Sequence, residues 1–136
     1  MPAPEQDPQL TPLQLDLMRV LWERGEASAA EVHTGLTPER RLAPTTVATL
    51  LRRLEKRGLV AHRSEGRQFL YRATVAEERA REAMVEELAE RLFDGDAARL
   101  VHHLLAHHEL RPGDLARVRA LIDAREREGR SDRAAR

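Results

Sequence analysis

Apolar residues recur along this chain with a helical period, broken once by a short stretch of strand-like alternation. Leu13, Leu17, Val20 and Leu21 mark the buried stripe of a first amphipathic helix. Thr11-Pro12-Leu13-Gln14 supplies a capping box with proline in the first turn, and Gly25 supplies the stop. A second capping box, Ser28-Ala29-Ala30-Glu31, opens a short helix to about Leu36, and Thr37-Pro38-Glu39-Arg40-Arg41 follows as a loop. Val47, Leu50, Leu51 and Leu54 form one stripe of a third helix that starts near Pro44 and ends at Gly58. The next two runs, Leu59–Arg63 and Gln68–Arg72, carry most of the β-prone residues and flank Gly66, so they predict a β-hairpin with a basic tip. Helical spacing then returns. A capping box at Thr74-Val75-Ala76-Glu77 predicts a helix to about Phe93, a second covers roughly Ala97 to His107, and a last one runs to about Arg127.

These elements predict a mainly α protein with four parts. Residues 1–10, which hold three of the seven prolines, read as a flexible leader. Residues 11–74 form one domain, residues 75–127 a helical second domain, and residues 128–136 a flexible tail. Three helices followed by a two-stranded hairpin is the layout of a winged helix-turn-helix, in which the third helix lies in the major groove of DNA and the hairpin meets the adjacent backbone.

Charge sharpens this reading. The net charge is zero, but nine Lys/Arg stand against three Glu between Thr37 and Arg72, whereas acids outnumber bases fourteen to twelve from Ala76 onward. A basic middle segment predicts a polyanion contact confined to one surface. Of the 23 basic residues only Lys56 is lysine. An arginine-favouring, GC-rich genome accounts for that bias, which therefore carries no weight for DNA binding. Opposite its apolar stripe the third helix presents Thr45, Thr49, Arg52 and Lys56, with Thr46 and Arg53 flanking. Short hydroxyl side chains let a helix approach base edges, and arginine reaches guanine or phosphate. Arg63 and Arg67 sit where a wing touches the backbone. Taken singly, such threonines are ordinary caps and such cations ordinary solvated residues. Their coincidence with the element order makes the case.

The most specific stretches are Leu10-Thr11-Pro12-Leu13 leading to Val20-Leu21-Trp22, Thr45-Thr46-Val47-Ala48-Thr49-Leu50-Leu51-Arg52-Arg53-Leu54 closed by Lys56-Arg57-Gly58-Leu59-Val60, Glu65-Gly66-Arg67 through Leu70-Tyr71, and Phe93-Asp94-Gly95. On these residues, from about Leu10 to Asp123, the chain resembles the penicillinase repressor (BlaI/MecI-type) family of bacterial regulators. The resemblance implies an N-terminal winged-helix domain, a C-terminal three-helix dimerisation domain, and repression by occupying an inverted-repeat operator, often with TACA/TGTA-like half-sites. It places the recognition role on Thr45, Thr46, Thr49 and Arg52, and a backbone contact on Arg67. It also brings a sensor or protease as a further class of partner. The family's release routes use an Asn-Phe cleavage site or a C-terminal cysteine cluster. This chain has neither asparagine nor cysteine, and His103-Leu104 stands in the corresponding place.

Pairing is also argued by the C-terminal sequence itself. Leu88, Leu92, Leu100, Leu104, Leu105, Leu115, Val118, Leu121 and Ile122 are many apolar groups for a region too short to enclose its own core. Burial against a second copy is one outlet for them, and folding back onto the winged domain is the other. His103 and His107 stand one helical turn apart beside His102 and His108. That spacing can chelate a metal or act as a pH switch, and equally suits a polar helix face at a dimer rim. No site for a resident metal or cofactor is otherwise indicated. Enzymatic motifs are missing: there is no Gly-rich phosphate loop and no nucleophile motif. No apolar run spans a bilayer, so a cytoplasmic protein is expected. The expectation is therefore a homodimeric DNA-binding repressor. Two alternatives stay open: a winged-helix protein interaction module, and a metal- or pH-responsive regulator using the C-terminal histidines.

Overall fold

The computed structural model describes residues 8–36, 39 and 42–134. Most of residues 37–41, and residues 1–7 of the expected leader, lie outside this set, as do the tail residues 135–136.

Helix α1 (Pro12–Arg24) starts where its sequence directs. The Thr11 hydroxyl accepts from the Gln14 amide at 3.2 Å, and the Thr11 amide donates back to Gln14 Oε1 at 3.0 Å. Gly25 ends the helix at φ 81°. Strand β1 (Ala27–Ser28) follows, and Ser28 then caps α2 (Ala29–Gly35) through the same reciprocal pair with Glu31. Helix α3 (Pro44–Lys56) has no side-chain cap and begins on proline. It ends at Gly58, φ 80°, where the Leu59 amide donates to the Leu54 carbonyl.

Strands β2 (Val60–Glu65) and β3 (Gln68–Ala73) pair antiparallel, with Glu65 opposite Gln68 across a turn whose first residue, Gly66, takes φ 62°. The sheet has three strands rather than the expected two, in the order β1-β3-β2, because Ala27 and Ser28 pair with Tyr71 and Leu70. Under this sheet Leu17, Met18, Leu21, Val32, Val47, Leu51, Leu54 and Leu59 make a closed core. The stripe of α3 thus faces inward, and its opposite face is turned outward.

Helix α4 (Glu77–Phe93) departs from the expected start. The helix begins at Glu77, so Thr74 is not its N-cap; the Thr74 hydroxyl instead donates to the Gly58 carbonyl and ties the end of β3 to the α3 terminus. Two compact units result, Met1–Leu92 and Phe93–Arg136. The first extends well past residue 74, since Val75 and Ala80 are buried in its core and the Trp22 indole donates to the Val75 carbonyl at 2.8 Å. Residues 8–10 also belong to that core rather than to a loose leader. Leu10 is buried, the Gln9 amide group donates to the Ala83 carbonyl, and the Arg57 guanidinium donates to the Gln9 carbonyl and to Gln14.

The second unit contains α5 (Ala97–His107), capped by Asp96, and α6 (Asp114–Ala134). Helix α6 runs beyond the end expected at Arg127, with the pair Arg125–Glu128 before Gly129 and the pair Arg130–Glu126 spanning it. Neither helix has a buried residue.

Candidate nucleic-acid interface

The outward face of α3 brings the expected recognition residues together. Thr45 and Thr46 are exposed in its first turn, followed by exposed Arg52, Arg53 and Lys56. None of these three cations has a hydrogen bond or ion pair with another described residue. Thr49 is half-buried, and its hydroxyl donates to the Thr45 carbonyl at 2.9 Å. That proton is therefore committed to the helix, and Thr49 has only its oxygen lone pairs and methyl to offer a ligand.

The wing separates its two arginines. Arg67 is exposed in the turn and has no hydrogen bond or ion pair with another described residue. Arg63 is gripped by two carboxylates: its Nε and Nη2 donate to Glu26 at 2.9 and 2.7 Å, and Nη2 also donates to Glu65 at 2.9 Å. The bidentate hydrogen bond from Arg63 holds the Glu26 carboxyl below its ordinary range, and Glu26 raises the Arg63 pKa in return. Arg63 thus braces the hairpin against the segment before β1, while Arg67 remains available. This pairing spans 37 positions in the sequence and leaves no local signal.

On the opposite face of the hairpin His62 lies between the Phe69 and Tyr71 rings, at centroid distances of 4.3 and 5.6 Å, and shares a hydrogen bond through Nδ1 with Glu55 of α3. Burial pushes the Tyr71 hydroxyl up, helped by Glu55 and opposed by Arg52. The register of β3 places Phe69 and Tyr71 on one face, so alternation alone could have flagged them as the side turned toward α3.

In the second unit Leu104, Leu105, Leu115, Leu121 and Ile122 are exposed, and Leu100 and Val118 are half-buried. Leu88 and Leu92 of α4 are exposed as well. The His103 ring packs edge-on against Phe93 at 5.6 Å and at a tilt against His107 at 4.6 Å. Among the described residues no group of three or more His, Cys, Asp or Glu is placed to hold a metal ion.

Comparison with known proteins bears directly on this surface. The sequence profile of the penicillinase repressor family matches residues 10–124. The chain belongs to the penicillinase repressor family. This is a family of winged-helix transcriptional repressors, not of enzymes, and the match runs through both compact units. Among individual relatives, the penicillinase repressor of Bacillus licheniformis is 29% identical over 103 residues, 76% of this chain and 80% of the relative. An uncharacterized 16.5 kDa protein from the ptsI 3′ region of Latilactobacillus sakei is 29% identical over 117 residues, 86% of this chain and 80% of its own. Of solved structures, the DNA-binding domain of the repressor BlaI is 33% identical, covers 54% of this chain and 89% of that one, and superposes with a TM-score of 0.48.

Proposed function

We propose that this protein represses transcription as a homodimer that lays two α3 helices into the major grooves of an inverted-repeat operator. The observation that carries the reading is the division of α3. Val47, Leu51 and Leu54 are fully buried, while Thr45, Thr46, Arg52, Arg53 and Lys56 stand exposed on its other side. A helix fixed by its core on one side and bearing short hydroxyls then exposed cations on the other fits a groove about 12 Å wide. Thr45, Thr46, Thr49 and Arg52 are the base-proximal set, Arg53 and Lys56 suit phosphate, and Arg67 meets the backbone from the wing. Arg63 serves as a brace and is withdrawn from the contact set.

The homodimer is favoured by what the second unit leaves uncovered. Residues 93–134 include no buried residue, yet α5 and α6 carry leucines at helical spacing. Such a region gains a core only from another surface, and a second copy supplies a self-complementary one. On this reading the first compact unit reads DNA, and the exposed leucines of α4 from Leu88 onward, with those of the second unit, pair the subunits. The release routes that the family resemblance implies lack their residues here, because the chain contains neither asparagine nor cysteine; a sensor of different chemistry would be needed. No helix among the described residues is long and apolar enough to cross a membrane, and the DNA-binding reading favours a cytoplasmic protein.

The test is selection of genomic fragments on the purified protein, followed by sequencing. The expected product is a small set of sites sharing an inverted repeat, with TACA/TGTA-like halves, whose binding weakens steeply as salt rises. Recovery of unrelated sequences without common symmetry would remove the operator reading and leave an interaction module.

A further inference from the structure

The winged unit holds an open groove of about 350 Å³ that the exposed face of α3 does not account for. Its walls include Ala29 and Ala30 of α2, Ala48 and Arg52 of α3, and Phe69 and Tyr71 of β3. Phe69 is 49% exposed although its strand neighbours Leu70 and Tyr71 are buried. The ring is not loose: it packs on His62, which is hydrogen-bonded to Glu55 of α3, so wing and helix are clasped with Phe69 at their junction. Arg52 lines the same groove and Arg67 stands at the hairpin turn two residues before Phe69, neither with a hydrogen bond or ion pair to another described residue.

Methyl-lined walls, a half-exposed aromatic ring, the polar Ser28 and Gln68 and the Arg52 guanidinium make a surface that is apolar with one cation, and Arg67 stands beside it at the hairpin turn. A sugar–phosphate strand offers the complement, an apolar deoxyribose face followed by an anion. We propose that this groove is the track for one strand's backbone, with Phe69 packed on a deoxyribose and Arg52 holding an adjacent phosphate. The proposal rests on the DNA-binding reading above and refines it. It moves Arg52 from a guanine edge to a phosphate, and it adds Phe69 and Ala30 to the interface. The groove shares Ala48 and Arg52 with α3, and the charge of Arg52 is opposite to that of the occupant.

The experiment uses the full chain, a duplex recovered by the genomic selection, and a scrambled duplex of equal length. Phe69→Ala should weaken both complexes about tenfold, the loss expected when the exposed half of a phenyl ring no longer buries apolar surface. The slope of log affinity against log salt should stay unchanged, because no cation is lost. Arg52→Ala should weaken both complexes and lower that slope by about one. A neutral methylphosphonate at the contacted phosphate should then cost the wild type affinity and leave Arg52→Ala indifferent. Ala30→Glu keeps the ring in place, suits the first turn of a helix, and should weaken both complexes at least tenfold by setting a carboxylate in the track. It serves as the deciding variant if Phe69→Ala lowers the thermal midpoint.

Unaltered binding by both Phe69→Ala and Ala30→Glu overturns the proposal while leaving the repressor reading intact. Two other outcomes overturn it as well. A loss confined to the selected duplex and removed by replacing thymine with uracil puts Phe69 on a base methyl. A changed sedimentation mass gives the groove to a second copy. If the wild type binds neither duplex, the DNA reading itself fails.

Discussion

Leu121→Asp is the most direct probe of how the second unit is covered. Leu121 is 70% exposed on α6. Fully burying a leucine side chain contributes about 1.5–3 kcal/mol, so covering this exposed fraction contributes about 1–2 kcal/mol per subunit. A twofold interface uses the residue twice, which gives about 2–4 kcal/mol per dimer and roughly a 30- to 1000-fold rise in the dissociation constant. Aspartate adds the cost of desolvating a carboxylate, so the lower figure is a floor. Because Leu121 belongs to the second unit, outside the core of the first, the winged unit should melt as before. Sedimentation equilibrium over a hundredfold range of protein concentration reads the constant directly. A variant that dissociates within twofold of the wild type would refute the reasoning, since Leu121 would then face solvent in the assembly.

Three further outcomes are expected. Arg67→Ala should lower the salt slope of DNA binding by about one, whereas replacing Arg63 and Glu26 together by glutamine removes the brace without stranding a charge and should leave the slope unchanged; equal drops would put Arg63 on phosphate. The Glu26 pKa is depressed in the folded state, so its contribution to stability is present above the ordinary carboxylate value of 4.5 and is lost as pH falls through the folded value. Urea midpoints followed from pH 6 downward should fall less below that value for Glu26→Gln than for the wild type, and parallel curves would show the Arg63 pair to be inert. Leu54→Ala removes a fully buried side chain beneath the α3 face and should cost about 2–5 kcal/mol; a thermal midpoint within a degree of the wild type would contradict the core assignment.

What the sequence disclosed, and what it hid, divides by range of interaction. Two capping boxes, at Thr11 and Ser28, formed as their spacing indicates, because the partners lie three residues apart and need nothing else. The stripe of α3 and the glycine-first hairpin turn were legible for the same reason. The box at Thr74 did not form: the helix starts only at Glu77, and the Thr74 hydroxyl is oriented toward a carbonyl sixteen positions away, that of Gly58. Strand β1 is two residues long and exists only through β3, so no local pattern could announce it. Arg63 read as a free wing cation until Glu26 was placed beside it. The packing of residues 8–10 depends on Arg57 and Ala83, far along the chain. Within the recognition surface, residue identities on α3 followed from periodicity, whereas the groove behind Phe69 needed three elements to converge.

Competition binding with Thr45→Ala/Thr46→Ala protein measures the central claim without intermediaries. If these side chains read bases from the outward face of α3, the wild type should hold two subunits on the selected repeat and prefer it strongly over a scrambled duplex, and the double variant should lose that preference while keeping its affinity for the scrambled one. Equal preference in both proteins would mean that sequence is read elsewhere and that this helix is not the reader.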